Sequence, residues 1–222
     1  MKVTDNETRW AKIGQIPCSL NFVGKETLIF GTGCHLVFIT LSSGEELIYT
    51  ANNQKVGDGI QCFTGHKTQN VFAFAEKRTN PTVFVMTYPN FEEIHLFKDC
   101  EPRGYVSMVF TDTSLLLAVG DLPDFNLVVW NWRRGEKLAT KNTSIWVQDQ
   151  LLKSNFSSPV ILAQLGVGTT KLHIWDIFIC GKKSVLTQHT VKVPQKCNPF
   201  TSVLWTTEGG LFVLDSAGCV YT

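Results

Sequence analysis

Four apolar runs along this chain end in the same way, in a large apolar residue followed by Thr, Asn or Asp. Ile39, Met86, Trp130 and Trp175 fall in one column, and Thr40, Thr87, Asn131 and Asp176 in the next. Members of the first column are 47, 44 and 45 residues apart. Each period also carries an upstream apolar run that stops at Gly or Glu before a loop: LIFGTG (28–33), VFAFAE (71–76), LLLAVG (115–120) and VILAQLG (160–166). LFVLDSAG (211–218) and CVYT (219–222) form a fifth, partial copy.

The runs are short and rich in Val, Ile, Leu and aromatic residues, and turn residues separate them. That pattern predicts strands rather than helices. Segment 146–153 (WVQDQLLK) has the most helical character, and we expect an irregular inner strand there. A period of about 45 residues holding about four strands is the mark of a β-propeller blade. One blade cannot bury both faces of its sheet, so blades stack around an axis. The expected fold is therefore all-β: one region over 1–222 made of about five WD40-like blades, degenerate in sequence, the last incomplete. An open fan of such blades would expose two sheet faces and a strand edge. The sequence is thus expected to be a partial propeller or a piece of a longer protein.

Trp175-Asp176 is a WD dipeptide on the third strand of its blade, and Trp130-Asn131 is a worn copy. The tryptophans should fill space between blades, and the polar residue should satisfy backbone groups at the strand end. We expect core positions for Trp130, Trp175 and Trp205, and leave Trp132 open. Gly65-His66 resembles the GH half of the repeat but follows a strand (59–63), so it reads as a turn with a chance histidine. On that reading the His–Asp network that rigidifies many blades is missing.

Catalytic constellations are not evident. The sequence has no nucleophile elbow, no HExxH, and no GxGxxG between a strand and a helix. Gly166 to Lys171 has the wrong glycine spacing for a phosphate loop and reads as a hairpin turn. His173 sits among apolar strand residues, and Cys34-His35 lacks a third orienting group. A propeller enzyme with channel carboxylates would repeat an acidic or histidine residue at inner-strand positions, and none repeats. No enzyme activity, metal or cofactor is expected.

Charge and cysteine content narrow the partners. Lys plus Arg number 20 against 19 Asp plus Glu, so no global positive field gathers nucleic acid. No apolar run reaches the roughly 18 residues of a membrane span, and residues 1–10 lack a secretory apolar stretch. Seven cysteines without a CxxC pair predict free thiols, mostly buried in strands, in a reducing compartment. The expected partners are proteins, with neither nucleic acid nor membrane involved.

The segment 120–126 (GDLPDFN) is the most distinctive connection, placed between the second and third strands of its blade. Pro123 fixes the backbone there, while Asp121, Asp124 and Phe125 could form a rigid recognition edge. Alternatively Phe125 tucks under the loop and the aspartates cap turns. A second rim loop, 76–81, offers Lys77 and Arg78 for partner contact or simply as a solvated turn.

Four segments carry a family resemblance: FVGKETLIFGTGCHLVFITL (22–41), AFAEKRTNPTVFVMTYPNFEE (73–93), SLLLAVGDLPDFNLVVWNW (114–132) and HTVKVP (189–194). They are similar to the amino-terminal propeller of the WD-repeat cilia- and flagella-associated proteins. The LPDF-strand-WNW and strand-YP-F units are the telling pieces. The resemblance runs from about residue 20 onward and weakens at 141–158 and after 195. It implies a cytoskeletal, non-catalytic scaffold in the axoneme of motile cilia and flagella. There it would help tether inner dynein arms to doublet microtubules beside a paralogous WD-repeat protein. Family members are far longer, with two propellers and a coiled-coil tail, so functions of the tail are not expected of these residues. A general cytosolic WD-repeat adaptor is the alternative reading.

Overall fold

A computed structural model describes residues 20–51, 59–98, 100–155, 160–180, 183–194 and 196–222. Among the described residues it contains nineteen strands and no helix. They form five antiparallel sheets, each a meander of strands consecutive in sequence.

Blade 1 comprises β1 (Leu20–Val23), β2 (Thr27–Thr32), β3 (His35–Thr40) and β4 (Glu46–Thr50). Blade 2 comprises β5 (Ile60–Gly65), β6 (Val71–Glu76), β7 (Val83–Thr87) and β8 (Glu93–Phe97). Blade 3 comprises β9 (Tyr105–Phe110), β10 (Leu115–Gly120), β11 (Asn126–Asn131) and β12 (Glu136–Asn142). Blade 4 comprises β13 (Gln150–Ser154), β14 (Val160–Gly166), β15 (Leu172–Cys180) and β16 (Lys183–Thr190). Blade 5 has three strands, β17 (Phe200–Trp205), β18 (Leu211–Asp215) and β19 (Val220–Tyr221). The repeat column Ile39, Met86, Trp130 and Trp175 lies on the third strand of each of the first four blades, as its spacing predicts.

The sheets are arranged as a five-blade β-propeller. The inner strands β1, β5, β9, β13 and β17 surround one axial cavity of about 230 Å³. Apolar residues of adjoining blades build four separate cores. Ile29 and Phe38 meet Phe72 and Phe74 between blades 1 and 2. Ala73 and Val85 meet Tyr105 and Trp130 between blades 2 and 3. Leu117 and Val129 meet Leu162 and Trp175 between blades 3 and 4. Leu165 meets Phe200 and Val203 between blades 4 and 5. A blade with two neighbours has apolar residues on both faces, which explains why β6 and β10 are buried along their whole length instead of alternating. No fifth core joins blade 5 to blade 1 among the described residues. Leu20 there is 59% exposed and Leu204 is 62% exposed.

The WD positions behave as their chemistry dictates. Trp130 is fully buried, stacked on Phe97 and edge-on to Tyr105. Asn131 Oδ1 accepts the backbone N–H groups of Arg133 and Arg134 and so caps the turn after β11. Trp175 is also fully buried, and its Nε1 donates to Gln164 Oε1 at 2.8 Å. Gln164 in turn donates to Gln150, whose amide reaches the carbonyls of Ile145 and Val147. Asp176 Oδ2 lies 2.9 Å from His189 Nε2 across β15 and β16. Trp132 is buried, with the Arg133 guanidinium over its ring. Trp205 is half-buried and donates to the Lys153 carbonyl.

Two sequence expectations need correction. His66 does lie in the turn between β5 and β6, but it is not a chance residue there. It is fully buried between Phe110 and Trp132, and its Nδ1 accepts from the Thr68 N–H at 3.3 Å. Thr68 Oγ1 also reaches Asp112 Oδ1, so a His–Thr–Asp chain does tie blade 2 to the turn of blade 3. The thiols are also less buried than strand placement implies. Of the six described, Cys62 is buried, Cys34, Cys100 and Cys197 are half-buried, and Cys180 and Cys219 are exposed. Cys18 and residues 1–10 lie outside the described residues.

Candidate partner-binding rim

Each blade turns from its second to its third strand at the end of the propeller where the chain also crosses from one blade to the next. Backbone hydrogen bonds join turn to linker around this end. Ile60 N donates to Gly33 O, Lys77 N to Gly59 O, Asn80 N to Pro102 O, Asp121 N to Gly104 O, and Val167 N to Asp149 O. Both loops singled out from the sequence therefore sit on one end of the molecule. Irregular segments held this way by a rigid scaffold are where binding residues concentrate.

Loop 120–126 joins β10 to β11, with a cis Leu122–Pro123 peptide. Phe125 is in the left-handed region (φ 46°) and 2% exposed, its ring in the core between blades 3 and 4. The recognition edge therefore excludes Phe125, because its ring is the loop's anchor. Asp121 is half-buried. Its carboxylate accepts from the Leu122 N–H and approaches the amides of Gln61 and Gln148. Leu122, Pro123 and Asp124 stand exposed. Lys77 and Arg78 are exposed on the β6–β7 turn, with Arg78 Nε 3.9 Å from the buried Glu76 carboxylate.

Beneath the loop lies Glu101, buried, with Oε1 lacking a hydrogen-bond partner among the described residues. Burial pushes its pKa up to about 7, and the Asp124 charge adds to the shift. A hydrogen bond from Asn126 and the Lys137 charge oppose it. Gly120 packs against this carboxyl, and a Cβ at that position would push the Glu101 side chain aside.

The linker 143–149, between β12 and β13, completes this part of the rim. Buried Thr143 donates to Phe125 O at 2.9 Å, and Asn142 Nδ2 donates to Asp124 O at 2.7 Å. Ile145 is fully buried. Trp146 next to it is 69% exposed, with Nε1 donating to Thr143 O at 3.0 Å. Trp146 was not legible as a rim residue. Its apolar character suits the inner strand expected over 146–153, whereas β13 begins at Gln150.

Ser144 Oγ lies 2.9 Å from His173 Nε2, a pairing that the sequence separation of 29 residues conceals. His173 Nδ1 faces the Gln188 amide at 3.3 Å and Thr190 Oγ1 at 3.3 Å. Thr190 Oγ1 and the Gln188 amide fix the ring on the β16 side, and the Gln188 amide also donates to Ser144 Oγ at 2.9 Å. Burial and then the Lys171 charge hold the His173 pKa below the usual imidazole value. Without an orienting carboxylate, the pair fastens the linker to blade 4. No group of three or more His, Cys, Asp or Glu that could hold a metal ion occurs among the described residues.

The chain is similar to curated proteins over much of its length. It is 26% identical over 192 residues to cilia- and flagella-associated protein 43 of Xenopus laevis, covering 86% of this chain and 11% of that one. It is 24% identical over 121 residues to cilia- and flagella-associated protein 44 of Mus musculus, covering 54% of this chain and 6% of that one. It is 27% identical over 107 residues to cilia- and flagella-associated protein 44 of Chlamydomonas reinhardtii, covering 45% and 6%. These proteins are homologues, and the chain spans about a tenth of their length or less. No family model matches it.

Proposed function

We propose that this chain is a non-catalytic scaffold of the motile cilium or flagellum. In this reading it sits on the axoneme, binds other axonemal proteins through the linker end of its propeller, and contributes to cilium assembly and motility. A paralogous WD-repeat protein, the inner dynein arms and the doublet microtubules are its proposed partners, with dynein tethering as the specific task. The observation that carries this reading is the alignment of 86% of the chain with a cilia- and flagella-associated protein. The propeller supports it, because a rigid disc with its loops gathered at one end suits protein–protein contact. Ser144–His173, the pairing nearest to a catalytic arrangement, is flanked by Gln188 and Thr190, which tie it to blade 4. Asp121, Pro123, Asp124, Lys77 and Arg78 are the proposed contact residues.

Quantitative immunoblotting of detergent-extracted axonemes against the soluble fraction of the same cells tests the reading. Detergent-resistant enrichment in the axoneme is the expected result. A signal confined to the soluble fraction, with axonemes empty, contradicts it and leaves a general cytosolic WD-repeat adaptor.

A further inference from the structure

Trp146 is the largest exposed aromatic among the described residues, and it is held in place. Its Nε1 is bonded to Thr143 O, and its two neighbours in the 143–146 turn, Thr143 and Ile145, are fully buried. Ser144 is gripped by His173 and by the Gln188 amide at 2.9 Å. An exposed indole on an ordered segment is a ready contact. It offers a large flat area and loses little conformational freedom on binding.

The charge around it favours one sign of partner. Gln148 connects this linker to Asp121, and Asn142 connects it to the backbone of exposed Asp124. Asp149, three residues after Trp146, is also exposed. Lys171 places one opposing positive charge nearby, its Nζ donating to Ser144 O at 3.3 Å, and the three carboxylates outnumber it. Three carboxylates thus share the rim with an aromatic face, and an aromatic face itself attracts cations. An acidic segment would meet like charge here, and a purely aliphatic one would leave the carboxylates without use.

We propose that the linker end of blades 3 and 4 is the docking site for a basic segment of a partner protein. One Arg or Lys lies over the Trp146 ring, and neighbouring basic residues lie against Asp121, Asp124 and Asp149. This inference rests on the reading of the linker end as the partner-binding face, and it names the chemistry of the partner.

The test is a two-dimensional ¹⁵N spectrum of the chain titrated with a synthetic peptide of repeating Arg-Gly-Gly, with a Glu-Gly-Gly repeat in parallel. Loss of one indole signal in Trp146→Phe identifies the Trp146 resonance. The arginine peptide should shift that signal saturably, and the glutamate peptide should leave it unmoved. Trp146→Ala and the pair Asp124→Asn with Asp149→Asn should each weaken binding about fivefold or more while leaving the rest of the spectrum intact. Raising the salt to about 0.5 M should weaken it further. An unmoved indole, an equal response to the glutamate peptide, or unchanged affinity in folded Trp146→Ala overturns the proposal. Peptide binding by a chain absent from axonemes would sink the ciliary reading alone. A chain on axonemes that ignores the arginine peptide would sink this inference alone.

Discussion

Blades 3 and 5 carry the same kind of sequence and have different surroundings. In blade 3, β10 is buried at every position, and its residues feed two cores, one toward blade 2 and one toward blade 4. In blade 5, β18 alternates: Val213 packs toward blade 4 while Phe212 and Leu214 stay exposed. Blade 1 mirrors this, with Leu20 and Phe22 exposed and outside the core it shares with blade 2. A blade is therefore stabilised by its neighbours more than by its own sheet, as stacked repeats with nearest-neighbour interfaces require. The middle of the molecule is consequently the rigid mount, and the rim segment that presents Trp146 is built on it.

The sharpest attack on this comparison is a truncation in the middle against one at the edge. Trp175→Ala removes a fully buried indole between blades 3 and 4 and its bond to Gln164. It should cost about 3–5 kcal/mol in denaturant unfolding. A near-neutral result would show that the inter-blade cores do not carry the fold. A smaller effect comes from the buried acid in the middle region. The Glu101 pKa is raised to about 7 by burial, so the fold favours its protonated form. Its stabilising contribution is complete below the ordinary carboxyl pKa and is lost as pH rises through about 7. Unfolding followed from pH 5.5 to pH 8 should thus show falling stability. Glu101→Gln should flatten that dependence and be more stable at pH 8 by about 1–2 kcal/mol. Equal pH profiles would mean that the carboxyl is hydrated. Smaller still is the edge. Leu204→Ser, at a position 62% exposed, should change stability by no more than about 0.5 kcal/mol. A loss comparable to that of Trp175→Ala would reveal a buried fifth interface. Trp146→Ala should likewise be within about 0.5 kcal/mol, which makes it a clean probe of binding.

The blade architecture was legible because it depends on local pattern. A third-strand residue recurs at 44–47 residues, and turn residues punctuate the strands between. Trp130, Asn131, Trp175 and Asp176 could be assigned to their strand from that column alone. What depended on distant partners was not legible. His66 reads as a chance turn residue until Trp132 and Asp112 are brought against it from the next blade. Phe125 had two readings of equal weight, and the left-handed backbone at that residue, which turns the ring into the core, decides between them. Trp146 is apolar by composition and exposed by register, because Ile145 takes the inward position and the linker runs on to Gln150 before β13 starts. The acidic surroundings of Trp146 are equally a product of folding. Asp121, Asp124 and Asp149 come from two segments that meet only at the linker end.

The most direct test of the account is hydrogen–deuterium exchange of the intact chain, resolved by strand. The account predicts slow exchange in β6, β10, β11 and β14, whose blades have two neighbours, and exchange faster by at least about tenfold in β1, β18 and β19. Uniformly slow exchange across all five blades would contradict it, since it would require blades 5 and 1 to be as well packed as the interior.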